Sequence, residues 1–320
     1  MPRSIQQSLA LLRQCEEGPP TPKQLDLLRS GLNHRNNLVV ERAAEIAAAH
    51  KCDALEEELL AAYQRFLTGD ASDGSCSTKA TLCEALRSVG YDDFDFYLRG
   101  IHYHQFGHGS PPVDVAAQLR VNCGFALAES GYPSVMRELV DLLADAEQTA
   151  RAGAAKAIAW IRNPGSEAIL RLKVRLGDSA AEVVGECFAG LLSLEPQASL
   201  SLVVSYLESD DRELVQEAAI ALGASRIPEA FEPLKALAVP NRDRDLQEGI
   251  LMAMALLQRT VAVDFLLSLV AGTDIATARA AIHALRHCRD QPSIRERLVT
   301  IVQRCEEDAI RRAFAEAFRT

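Results

Sequence analysis

The stretch Arg212–Asp243 reads RELVQEAAIALGASRIPEAFEPLKALAVPNRD, and its spacing decides the fold. Val215, Ala218, Ala219 and Leu222 recur at i, i+3, i+4 and i+7, which puts them on one face of a helix. A short break follows, and Phe231, Leu234 and Leu237 mark a second helix. The same face returns at Val40, Ala43, Ala44 and Ala47 and at Val184, Cys187, Phe188 and Leu191. From Val184 the aligned positions are Val215, Leu246, Thr277 and Ile310, in steps of 31, 31, 31 and 33 residues. Arg151 begins a similar helix 33 residues before Val184, and weaker copies begin near Lys79 and Leu119 at steps closer to 40. A period of this size indicates a solenoid.

Between these helices lie partners at 54–67, 134–143, 166–176, 197–207, 229–237, 261–270 and 292–302, with short loops that open on Pro, Gly or Asp. The spacing predicts an all-α solenoid of about eight to nine helix pairs. A first helix from Ser4 to about Cys15 serves as N-terminal cap. Thr21 caps the next helix, with Pro22 at its first position, where the missing N–H costs nothing. Three regions follow: capping helices over 1–35, divergent repeats over 36–148 and regular repeats over 149–320. The paired small residues Ala154–Ala155, Ala218–Ala219 and Ala280–Ala281 are expected where stacked helices come closest.

Charge narrows the function classes. The net charge of -10 argues against a general nucleic-acid binder, which needs a surplus of Lys and Arg. Residues 71–150 carry 5 basic and 11 acidic side chains, whereas 241–320 carry 12 and 11, so any anion site at that end is local. The eight cysteines form no C-x-x-C pair, and several occupy small apolar slots of the repeat. They read as reduced core thiols of a cytoplasmic protein. The N-terminus lacks the apolar core of a signal peptide, and no apolar run reaches 18 residues.

The pattern V-x-x-A-A-x-x-L-G followed by P-x-A-x-x-x-L-x-x-L resembles HEAT repeats, in particular the short type named after phycobilisome lyases. The resemblance covers about 36–320 and is clearest over 149–320. FYLRGIHYHQFGHGSPPVDVAAQLRVNCGFAL also resembles a segment of bacterial HEAT-repeat proteins of unassigned function. The resemblance implies a right-handed α-solenoid, an α-α superhelix whose Val215-type helices line the concave face, and it implies protein binding as the usual task. It does not imply lyase activity. Two enzymatic relatives are testable by motif. Di-iron HEAT-type hydroxylases use His-Glu dipeptides, and this chain has none; HEAT-like DNA glycosylases need a basic, aromatic groove, which the acidic balance and the single Trp160 oppose.

One stretch breaks the repeat. Tyr91–Asp114, YDDFDFYLRGIHYHQFGHGSPPVD, is rich in aromatic and histidine side chains. A short helix starting at Asp92 or Asp93 is expected to carry Phe94, Tyr97, Leu98 and Ile101, followed by a long loop from His102 to Pro112. Long loops on a rigid scaffold are where function tends to sit. His102, His104 and His108 are weak metal candidates, with Asp114 or Cys123 as a fourth ligand, but packing or partner contact is the expected role. His283, His287 and Cys288 share one predicted helix without an evident third ligand.

The expected function is a non-catalytic scaffold for another protein or a peptide, with no cofactor. Contacts are expected from Tyr97, His102, Tyr103, His104, Phe106 and His108 on the insertion and from Lys156, Glu217, Glu248, Arg279 and Arg312 on the concave face. Mixed charge on that face suits a protein ligand more than nucleic acid. Arg311, Arg312 and Arg319 either meet an acidic partner or keep the last repeat soluble. One alternative is lyase- or chaperone-like handling of a prosthetic group, with Cys123 and the three loop histidines as the cluster. The other is a structural subunit of a larger assembly.

Overall fold

A computed structural model describes residues 4–69, 72–238, 243–272, 274–305 and 307–318. The chain divides into two compact units, residues 1–157 and 158–320. The first contains α1 (Ile5–Leu12), α2 (Pro22–Leu32), α3 (Asn37–Ala49), α4 (Glu56–Leu67), α5 (Ser77–Ser88), α6 (Phe94–Ile101), α7 (Ala117–Glu129), α8 (Val135–Leu143) and most of α9 (Gln148–Ile161). The second contains the end of α9, then α10 (Ser166–Leu176), α11 (Ala181–Leu194), α12 (Pro196–Ser205), α13 (Arg212–Ser225), α14 (Phe231–Ala238) and α15 (Arg244–Leu256). It continues through α16 (Thr260–Val270), α17 (Ile275–Leu285), α18 (Pro292–Arg304) and α19 (Asp308–Ala317). Among the described residues no regular strand forms, and one isolated antiparallel bridge joins Phe106 to Asp114. No helix is long and apolar enough to cross a membrane among the described residues.

In each unit helices pair and the pairs stack, the arrangement of an α-solenoid. In the first unit α3 packs on α1 and α5, and α5 on α7. In the second, α11, α13, α15, α17 and α19 follow one another in the same way, each with the preceding even-numbered helix beside it. The cause is the face found in the sequence. Val40, Ala43, Ala44 and Ala47, Val184, Cys187, Phe188 and Leu191, and Val215, Ala218, Ala219 and Leu222 are all buried. At Gly223 backbones approach closely: a Cβ there would lie 2.2 Å from the carbonyl oxygen of Ala253, so α13 and α15 meet with no side chain between them. The helix starts are equally repetitive. Asp211, Asp243 and Asp274 cap α13, α15 and α17, accepting from the backbone N–H groups of Leu214, Leu246 and Thr277.

The 91–114 stretch forms the short helix expected from Asp93, followed by an irregular second half. Asp93 caps α6 by accepting from the Phe96 N–H at 3.1 Å, and α6 is an ordinary even-numbered helix packed on α7. It buries Phe96, Tyr97, Gly100 and Ile101, whereas Phe94 and Leu98 are half-exposed. The reason is an aromatic cluster, in which the Phe96 ring sits 4.8 Å from that of Tyr63 and 5.1 Å from that of Tyr97. At the N-terminal end α1 joins the stack. It packs against α2 as well as α3, because Leu12 is buried at that junction. Seven of the eight cysteines are buried and Cys305 is half-buried, all as free thiols. Arg319 lies outside the described residues.

Candidate functional site

The insertion between α6 and α7 is a short hairpin held from below by buried ions. Gly107 donates to the Val113 carbonyl at 2.9 Å and Val115 to that of Gln105 at 2.8 Å, which closes the hairpin around Phe106–Asp114. Asp114 is its lynchpin. The carboxylate accepts from the backbone N–H groups of Gln105 (3.1 Å) and Ala116 (2.9 Å) and from Arg120 Nη1 (2.8 Å), and it meets His104 Nδ1 at 2.6 Å. Burial works against the charge, but the Ala116 N–H, His104, the Gln105 N–H and Arg120 together hold its pKa down at about 2.

Arg120 is 1% exposed. It also donates to the Tyr103 carbonyl at 3.0 Å and forks onto Asp145 in the turn between α8 and α9. A second buried pair lies on the other side of the hairpin base. Lys79 Nζ meets Asp73 Oδ2 at 3.1 Å, both side chains are inaccessible, and the ammonium sits 5.9 Å from the centre of the Tyr103 ring. Gln105 donates to the Asp73 carbonyl at 2.6 Å. Lys79 and Arg151 occupy the repeat slot filled by Val40, Leu119, Val184 and Val215 elsewhere, so a cation at an apolar slot is the sequence signal for this polar centre. Its carboxylates Asp73 and Asp145 carry no such signal.

On this frame the predicted contact residues separate. Phe106 is 65% exposed at the hairpin, beside Val113 at 58%, and His108 is exposed near them. Tyr103 is half-buried and donates to Gln105 Oε1 at 3.3 Å, so it supports the hairpin from within. Tyr97 is corrected from contact to core. It is fully buried, its hydroxyl donates to the Tyr91 carbonyl at 3.0 Å, and burial pushes its pKa up. His102 pairs with Glu138 at 3.0 Å and His104 with Asp114, so the two rings engage different carboxylates. Among the described residues no group of three or more His, Cys, Asp or Glu side chains assembles as a metal would require.

A cleft of about 270 Å³ is lined by His102, His104, Arg120, Glu138, Asp141 and Asp145, but Cys123 is not part of it. Cys123 is buried instead against Cys83, Sγ to Sγ 3.5 Å, and burial first, then Cys83, raise its pKa well above that of a free thiol. That geometry separates the cluster nominated for prosthetic-group chemistry.

In the second unit one register position of the stacked helices reads Glu217 on α13, Glu248 on α15, Arg279 on α17 and Arg312 on α19. Glu248, Arg279 and Arg312 are exposed, and Arg312 Nε donates to the Asp308 carbonyl at 3.4 Å. Glu217 is half-buried because Gly185 of α11 leaves room for it: a Cβ on Gly185 would fall 2.2 Å from Glu217 Oε2. Burial raises its pKa, and Glu182, Glu186 and Glu213 raise it further. Lys156, in the first unit, is exposed on α9. The helix holding His283 ends at Leu285; His287 lies in the following 3₁₀ turn, and Cys288 is buried there with its thiol directed at the Ala255 carbonyl.

No family model matches the chain, and no curated protein matches it. Solved structures with a similar helix arrangement include Kap121p, at 12% identity and TM-score 0.46, covering 99% of this chain and 40% of that one. They also include the CpcE–CpcF complex of phycocyanin lyase from Nostoc sp. PCC7120, at 14% identity and TM-score 0.37, covering 93% and 97%. Human deoxyhypusine hydroxylase in complex with glycerol is similar at 15% identity and TM-score 0.31, covering 98% of each chain. The chain thus spans about two fifths of the length of Kap121p.

Proposed function

We propose that the protein is a non-catalytic scaffold that binds another protein or a peptide. The observation that carries this reading is the exposure of Phe106 and Val113 on a hairpin whose base is fixed by the Arg120 and Lys79 ion pairs. Apolar side chains on a backbone already ordered lose little entropy on association, and a central aromatic is the commonest kind of binding anchor. The exposed Glu248, Arg279 and Arg312 of the second unit supply a separate polar contact region.

The test is a double change, Phe106→Ala with Val113→Ala, which touches neither ion pair. Tyr103 is left intact because its ring and carbonyl support the hairpin. The two forms are used as bait in lysate of the native host, and retained proteins are identified by mass spectrometry. A stoichiometric partner held by the parent chain and lost by the variant, at equal melting temperature, is the expected result. A partner retained equally by both moves the contact to the helix face, and no partner with either form removes the scaffold reading.

A further inference from the structure

We propose that the trough over α15 and α17 is the docking site for an acidic segment of a partner protein. The inference rests on the scaffold reading and gives it a ligand class. Two hollows of about 410 and 380 Å³ share Glu248, Ala280 and His283, so they form one continuous trough across the exposed face of these helices. Gly249, Ala280 and Ala284 carry no bulk, which leaves space in the trough between the larger side chains around it.

The charge around this trough selects the occupant. Arg244, Arg279 and Arg286 line it, all exposed; among the described residues none of the three makes an ion pair or hydrogen bond, and Arg244 is near enough to the Asp274 carboxylate to help lower its pKa. Elsewhere in the unit Arg171, Arg212 and Arg297 each close on a carboxylate, of Glu167, Asp243 and Asp264. Asp245, at the trough's edge, is taken by Arg212 at 3.3 Å. Three guanidinium forks therefore face the trough with their charge-assisted donors available, and carboxylates are the groups that match them in geometry and charge.

Arg244 and Arg279 line one hollow and Arg286 the other, so an extended peptide lying along the trough would present carboxylates to all three. A nucleic acid fits less well. Glu248 stands among the arginines and would repel a continuous phosphate chain, but it can accept a peptide N–H. The chain's overall charge of -10 adds to that repulsion.

The test uses the full chain and three fluorescein-labelled probes: a peptide alternating Gly and Glu, one alternating Gly and Lys, and a single-stranded oligothymidylate of the same length. Binding is read by fluorescence anisotropy at low and high salt for the parent, Arg279→Glu, and the double reversal Arg244→Glu with Arg279→Glu. The Glu peptide is expected to bind best, to weaken with salt, and to lose about tenfold or more in affinity on charge reversal, at unchanged melting temperature. Equal or tighter binding of the oligothymidylate or the Lys peptide, or Glu-peptide binding that ignores the double reversal, overturns the assignment. A partner captured through Phe106 and Val113 that the double reversal still holds in full also overturns it while leaving the scaffold reading in place.

Discussion

Arg120 holds Asp145 through two parallel hydrogen bonds, Nε to Oδ2 and Nη2 to Oδ1, each 2.9 Å long. The same guanidinium reaches Asp114 at 2.8 Å. One buried cation thus neutralises two carboxylates, one at the hairpin base and one in the turn before α9. The position of Phe106 depends on that arrangement, since Asp114 is the hairpin residue bridged to it.

Replacing Arg120 by Met should therefore leave two buried carboxylates without their cation. A loss of about 3–5 kcal/mol in unfolding free energy is expected, as for other broken buried ion pairs. Arg120→Lys should be intermediate, because an ammonium cannot fork. Urea denaturation measures both, and a loss under about 1 kcal/mol for the Met variant would show that the network is not structurally important.

Asp114 predicts acid sensitivity of a definite sign. Its folded pKa of about 2 lies below the ordinary 3.8, so its stabilisation is fully present above pH 4 and is lost as pH falls toward 2. The contribution is about 2 kcal/mol at neutral pH. Asp114→Asn should be less stable than the parent at pH 7, with the gap closing toward pH 2. Denaturation midpoints across that range check it, and a gap that stays constant with pH would assign the loss to packing.

Glu217 has the opposite sign. Burial and three neighbouring carboxylates raise its pKa, so its charge opposes folding at neutral pH and protonation relieves that. Glu217→Gln should melt higher than the parent at pH 7, and the advantage should shrink as pH falls through the folded pKa. A lower melting temperature at pH 7 would mean the carboxylate makes a net favourable contact.

The stacking seam predicts steric cost. Ala218 is fully buried, and Ala218→Leu should destabilise by about 1–3 kcal/mol through overpacking. Gly223→Ala should cost at least as much, since its methyl would meet the backbone of Ala253 rather than a movable side chain. Calorimetry of the two variants decides it; an unchanged midpoint for either would place that residue outside the seam.

The solenoid was legible because its signal is local. A 3.6-residue helix maps spacing onto a face without reference to any partner, so Val215, Ala218, Ala219 and Leu222 announce a buried stripe in the bare sequence, and repetition of the stripe announces stacking. Pro22, Thr21 and Asp243 mark helix starts for an equally local reason, since each meets a need of the first turn itself. The hairpin's exposed Phe106 was also legible, as an aromatic in a loop longer than the repeat needs.

The roles of the polar residues were decided only in three dimensions. Asp114 lies 6 residues from Arg120 and Asp145 lies 25 from it, and nothing in the chain order links the three. Tyr97 was expected as a contact residue on the short helix until the Phe96 cluster closed over it, and Glu217 was expected as an exposed contact until the space above Gly185 took it in. Sequence by itself determined the helices, their apolar faces and their repetition. Tertiary structure alone decided which charges are buried, which are paired and which stay available to a ligand. Desolvation and ion pairing depend on what the rest of the chain places around a group, and that is not encoded in its immediate neighbours.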